Sequence, residues 1–277
     1  MECDIAIIGS GVGGGCVALS LAGTGAKVLI LERGQRLPRE PQNWDPEAVF
    51  VENRYRTTET WYDGAGIPFR PGQFYYVGGH TKVYGTAMFR FRERDFDGVE
   101  HAEGSCVPWP IRYAELEPWY AQAEHVFGVH GKAGDDPTEP ARSGPFPYPP
   151  IPHEPVIGEV FERMRARGLH PSHMPAAIAF HAGGTCIRCG TCDAFPCKIG
   201  AKGDAETRLI EPSLKHPNVK LQTGSLVTHL LTDDRGKRIV AAEVDRGGEK
   251  LTIRARLFVL SAGAINSAAV LLRSADS

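Results

Sequence analysis

Three short apolar runs punctuate this chain: Ile5-Ala6-Ile7-Ile8, Val28-Leu29-Ile30-Leu31 and Leu257-Phe258-Val259-Leu260. None contains a polar residue, which is the pattern of strands buried on both faces of a parallel sheet. The first and last run into glycine and small residues and then into helix-like sequence. Val12 to Ala22 is small and apolar, suiting a buried helix, and Gly23 and Gly25 can end it. Between 219 and 256 the polar positions return at strand length. Val219–Thr223, Leu226–Leu231, Ile239–Val244 and Leu251–Arg256 predict strands, with Arg246-Gly247-Gly248-Glu249 as a hairpin turn. Helical spacing appears in Leu116, Trp119, Tyr120, Ala123 and Phe127, with Gly128 as a stop, and predicts that the aromatic stripe faces a core. Val156, Ile157, Val160, Phe161 and Met164 likewise share one face of a helix over 155–167, and a short helix is predicted over 206–214. Residues 35–75 carry five scattered prolines and read as long loops with one short helix, while 131–155 reads as a turn-rich connector. The charge cluster from Arg90 to Asp97 reads as a solvated surface.

The turn after the first run has its own chemistry. Gly9, Gly11 and Gly14 fit G-x-G-x-x-G. The first glycine permits a tight turn, the second lets a pyrophosphate reach the backbone, and the third lets helix pack on strand. Unpaired helix N–H groups and the positive end of the helix dipole would then face phosphate. The second run ends in Glu32-Arg33, with Glu32 about 20 residues past the glycines, where a carboxylate can accept ribose hydroxyls. Strand, turn, helix, strand and acid together predict dinucleotide binding.

Composition narrows the class. The 277 residues are 42% hydrophobic with a formal charge of −2, enough for one large or two moderate domains and no argument for nucleic acid or a membrane surface. No apolar run is long enough to span a bilayer, and the first strand begins almost at Met1, so a cytoplasmic location without a signal peptide is expected. Four of the seven cysteines fall together as Cys186, Cys189, Cys192 and Cys197. Their spacing, C-x2-C-x2-C-x4-C, is close to half of a bacterial ferredoxin site, although the last interval is one residue longer and Pro196 precedes Cys197. An iron–sulfur cluster, zinc, a redox disulfide and structural cysteines all remain open.

Phe74 to Arg90 contains Gly78-Gly79-His80-Thr81-Lys82-Val83-Tyr84-Gly85, in which backbone can run close to a flat ligand. With the opening turn, this segment resembles G-G-x-[ST]-x-x-x-G of the glucose–methanol–choline (GMC) family of FAD-dependent oxidoreductases. Trp109-Pro110-Ile111-Arg112-Tyr113-Ala114-Glu115-Leu116 resembles the branch with pyranose oxidases and sugar dehydrogenases. Gly263-Ala264-Ile265-Asn266-Ser267 through Leu272 is similar to a further signature, with Ala268 in place of its usual proline.

The resemblance implies an α/β fold: a Rossmann-like FAD-binding domain of the two-dinucleotide-fold flavoprotein type, with an inserted, incomplete α+β substrate domain. It assigns residues 1–35, 72–98 and 200–277 to FAD binding, 36–71 to a loop excursion, and 99–199 to part of the substrate domain. FAD would meet Gly9, Gly11, Gly14, Glu32, Arg33, Gly78, Gly79, Thr81, Gly85, Val227, Ala262 and Gly263. The position that carries a covalent flavin link in some members is Val83 here, so no such link is expected. In some related sugar dehydrogenases the clustered cysteines hold an iron–sulfur cluster, which would make Cys186, Cys189, Cys192 and Cys197 its ligands. The family's C-terminal part, with its catalytic histidine, has no counterpart in the sequence. No catalytic residue is therefore assigned, and this chain alone is expected to be inactive. The implied reaction is oxidation of a CH–OH group in a sugar, polyol or other alcohol, with oxygen, a quinone or a redox protein as electron acceptor. An NAD-linked dehydrogenase and a non-catalytic FAD- or metal-binding module are the alternatives.

Overall fold

The fold, taken from a computed structural model that describes residues 1–275, divides into two compact units. The first comprises Met1–Tyr84, Gly190–Gly200 and the chain from Asp204 onward; the second comprises Gly85–Cys189 and Ala201–Gly203. The last two residues of the expected 200–277 segment lie outside the described part.

The first unit is built on a mixed six-stranded sheet. In chain order its strands are β1 (Glu2–Ile8), β2 (Val28–Leu31), β3 (Val219–Gln222), β4 (Leu226–Thr232), β5 (Ile239–Arg246) and β6 (Glu249–Leu260). They lie side by side as β4-β5-β6-β1-β2-β3. The three apolar runs occupy its middle: β1 pairs in parallel with both β2 and the second half of β6, and β2 with β3. Every residue of β2 is buried, as a strand covered on both faces must be. The predicted strands 251–256 and 257–260 are one continuous strand. Its first half pairs antiparallel with β5 and its second half in parallel with β1, so no turn separates them. The core divides into two apolar clusters. One includes Ala6, Ile8, Leu29, Val227 and Val270; the other includes Ile7, Ala18, Ile30, Val77 and Ile210.

Helix α1 (Val12–Leu21) follows β1 directly, and the helical segment 206–214 lies beside it, with Leu209 against Gly15. Residues 36–71 contain two short helical turns, Pro41–Trp44 and Glu47–Val51, where one helix was expected. They pack on the 190–200 segment: Phe50 meets Phe195 edge-on at 4.9 Å, and Lys198 lies over Trp44 at 5.2 Å. This excursion covers a neighbouring stretch of chain.

The second unit holds α2 (Tyr113–Phe127) and α3 (Pro155–Ala166). Gly128 ends α2 at φ 66°, as its sequence position predicts. Two expectations are corrected here, the solvated charge cluster and the core-facing aromatic stripe of α2. Arg90 is buried, because Glu124 on α2 takes two of its N–H groups at 2.8 and 2.9 Å and Tyr113 and Glu117 take more. A cluster read as solvated thus contributes a core ion pair. On α3 only Phe161 is buried, and Val156, Ile157 and Val160 are exposed. On α2, Tyr113 and Phe127 face the core whereas Trp119 points outward.

Candidate active site

A cleft of about 440 Å³ opens in the first unit at the C-terminal ends of β1 and β2. Sequence alone explains its floor. Gly9 has φ 101°, and a Cβ there would lie 2.3 Å from the Ser261 carbonyl oxygen. A Cβ on Gly14 would meet the Gly9 carbonyl oxygen at 2.0 Å, which is how α1 packs on the turn. Gly11 differs: a Cβ there meets no protein atom within 4 Å, and the residue lines the cleft. Glycine at 11 leaves the backbone open to the cleft.

Two helix starts face this space. Gly11, Val12 and Gly13 line it from α1, whose first N–H groups have no partner within the helix. Ala262, Gly263, Ala264, Ile265 and Asn266 line it at the start of α4 (Ala264–Ala275). Both ends present donors and positive dipole potential, the requirement for binding phosphate or a polarised ring edge.

Glu32 closes one end as a buried, oriented carboxylate. Its Oε2 accepts the Ser10 hydroxyl at 2.6 Å and the Ser10 N–H at 3.0 Å; its Oε1 accepts the Gly34 N–H at 2.8 Å. A second lone pair on Oε1 remains for a ligand hydroxyl. Ser10 Oγ also accepts the Gly78 N–H at 3.2 Å, so one hydroxyl joins the glycine turn, the end of β2 and the Gly78 segment. Beside Glu32, the Arg33 guanidinium lies 3.6 Å over the Tyr75 ring and pairs with Glu59, which also accepts the Tyr75 hydroxyl at 2.8 Å. Burial opposes ionisation of Glu59, but the Tyr75 and Arg33 donors outweigh it and hold the carboxyl below its usual range. His80 lines the cleft with Nε2 2.8 Å from Gln73 Oε1, and burial lowers its pKa, favouring a neutral ring.

The structure gathers Gly9, Gly11, Glu32, Arg33, Gly79, Val227, Ala262 and Gly263 around this cleft. Gly14 supports it from beneath. Thr81 does not line it: its hydroxyl donates to the Gly78 carbonyl at 2.6 Å and accepts the Ala205 N–H at 2.9 Å. Gly78 reaches the cleft only through Ser10, and Gly85 belongs to the second unit. The sequence reading missed Ser10, Glu59 and Tyr75. Ser10 carried one signal, a hydroxyl between the first two glycines; Glu59 and Tyr75 sit in a stretch without periodicity.

The four clustered cysteines are divided between the units, Cys186 and Cys189 in the second and Cys192 and Cys197 in the first. Among the described residues no group of three or more His, Cys, Asp or Glu is arranged to hold a metal ion. The iron–sulfur expectation therefore finds no support. Nor is any helix among the described residues long and apolar enough to cross a membrane.

Comparison with known proteins gives a consistent picture. Residues 71–276 match the family described as GMC oxidoreductase. The chain is 35% identical to a paromamine 6'-oxidase of Streptomyces fradiae, over 98% of this chain and 49% of the relative. It is 29% identical to a 2-methyl-1,2-propanediol dehydrogenase of Mycolicibacterium austroafricanum, over 99% of this chain and 51% of the relative. The chain thus spans about half the length of these curated relatives. Among solved structures, pyridoxine 4-oxidase from Mesorbium loti superposes with a TM-score of 0.62 at 21% identity, covering 98% of this chain and 52% of the other.

Proposed function

This chain belongs to the GMC oxidoreductase family, and on that premise we propose that its cleft binds FAD as part of an enzyme that oxidises a CH–OH group of a sugar, polyol or related alcohol. The observation that carries the reading is the empty space over Gly11 between two helix starts, with the oriented Glu32 carboxylate at one end. The N–H groups at the start of α1 would hold the pyrophosphate, and Glu32 Oε1 would accept a ribose hydroxyl. The turn Ala262–Ala264 would present backbone donors to the ring system, with Val227 as an apolar wall. Bound FAD would supply an acceptor for the hydride leaving the carbinol carbon.

The substrate class is supported by relatives that include a paromamine 6'-oxidase and a 2-methyl-1,2-propanediol dehydrogenase. The electron acceptor is oxygen, a quinone or a redox protein. In a polypeptide that carries this chain together with the family's second half, sugars and polyols should reduce an artificial dye in proportion to bound FAD. If a broad panel of alcohols leaves the dye oxidised while FAD is fully bound, the oxidoreductase reading fails and a binding module takes its place.

A further inference from the structure

We propose that Lys82 is a positioning residue for the cleft, its buried ammonium locking the Gly78–Lys82 turn against Asp204 and Glu206. This rests on the FAD reading above. Lys82 is 7% exposed, Asp204 1% and Glu206 7%; its Nζ donates to Asp204 Oδ2 at 2.9 Å and to Glu206 Oε2 at 2.6 Å. The anions are themselves held. Asp204 Oδ1 accepts the Thr207 N–H at 2.9 Å, and Arg36 donates to Glu206 Oε1 at 2.6 Å while also pairing with Glu211.

What this lock secures is a cleft wall. Lys82 ends a single helical turn, Gly79–Lys82, whose first residue lines the cleft. A Cβ on Gly79 would stand 3.4 Å from the Gly11 Cα, so the turn lies close to the phosphate-binding loop. The Lys82 stem packs under Gly78, where an added Cβ would meet its Cδ at 3.1 Å. Thr81 ties the same turn to Ala205, and Ser10 ties Gly78 to Glu32. The wall is therefore held from one side by the cofactor loop and from the other by segment 204–206. Burying an ammonium with two carboxylates costs desolvation that apolar residues would avoid, so a fixed geometry is what the arrangement gains.

The test uses a polypeptide that carries this chain together with the family's second half, and two substitutions, Lys82→Met and, as a control for general destabilisation, Arg90→Met in the second unit. Hydrogen–deuterium exchange of the FAD-free polypeptide should quicken by at least about tenfold at the amides of Gly78–Val83 in Lys82→Met and stay unchanged there in Arg90→Met. FAD titration should show affinity about tenfold or more weaker for Lys82→Met, and unchanged for Arg90→Met despite its lower melting temperature. If Lys82→Met does not fold, Glu206→Gln keeps the lysine and removes one anionic partner, with about threefold weaker FAD binding expected. FAD affinity of the folded variant within twofold of the parent overturns the lock. Absence of FAD uptake by the unsubstituted polypeptide overturns the FAD reading instead, and the exchange measurement still decides whether Lys82 fixes the turn.

Discussion

Ser10 shows how much one hydroxyl can organise. It donates to Glu32 and accepts from Gly78, linking three segments far apart in sequence. Ser10→Ala leaves the Gly78 N–H without that acceptor, and a buried donor left unpaired costs about 1–3 kcal/mol. Chemical denaturation should register that loss, and FAD affinity should fall with it because the Glu32 carboxylate loses a donor that orients it. Glu32→Gln sets an NH2 donor against the Gly34 or the Ser10 N–H and removes the charge offered to a ribose hydroxyl, so stability and FAD affinity should both fall. Gly11 and Glu32 were legible from spacing because their roles come from backbone position along one strand–turn–helix. Glu59 and Tyr75 were not, since their meeting with Arg33 depends on how an aperiodic loop returns to the sheet.

At the scale of elements, legibility followed local periodicity. The apolar runs gave β1 and β2 nearly residue by residue, and the Arg246–Glu249 turn gave the β5–β6 hairpin. The fusion of 251–256 with 257–260 escaped because a strand can pair along one edge and then along the other without any break in its backbone. Burial of Arg90 escaped because a charge run reads the same whether its partners are water or Glu124. Removing one member of a buried pair leaves the other uncompensated, which costs about 3–5 kcal/mol, and the cost here falls near the low end because Arg142 still donates to Glu124 at 2.6 Å. Arg90→Met should thus lower the stability of the second unit, followed through Trp109 and Trp119 fluorescence. The same unit carries an acid-sensitive site at Asp135. Burial would raise its pKa, but the ring and backbone donors of His173 and the Lys132 ammonium outweigh that and lower it to about 2. A carboxyl depressed in the folded state stabilises above its unfolded value and loses that contribution as pH falls toward its folded one. Unfolding of the second unit should therefore become easier between about pH 4 and pH 2, and Asp135→Asn should flatten that dependence.

For the molecule as a whole, the central claim is that the cleft of the first unit is built around a dinucleotide that carries a flavin. Family membership and the TM-score of 0.62 to a solved oxidase fix the architecture. What this chain adds from its own atoms is a glycine at 11, where a Cβ would meet no protein atom within 4 Å. The most direct measurement is an FAD titration, followed by flavin fluorescence and absorption, of a polypeptide that carries this chain together with the family's second half, beside its Gly11→Val variant, with circular dichroism confirming that both are folded. The account predicts saturable FAD uptake by the parent polypeptide, no competition from NAD, and loss of uptake when valine fills the space above the helix start. Equal FAD binding by the two folded proteins would contradict it, because the space over Gly11 would then not be where the cofactor lies.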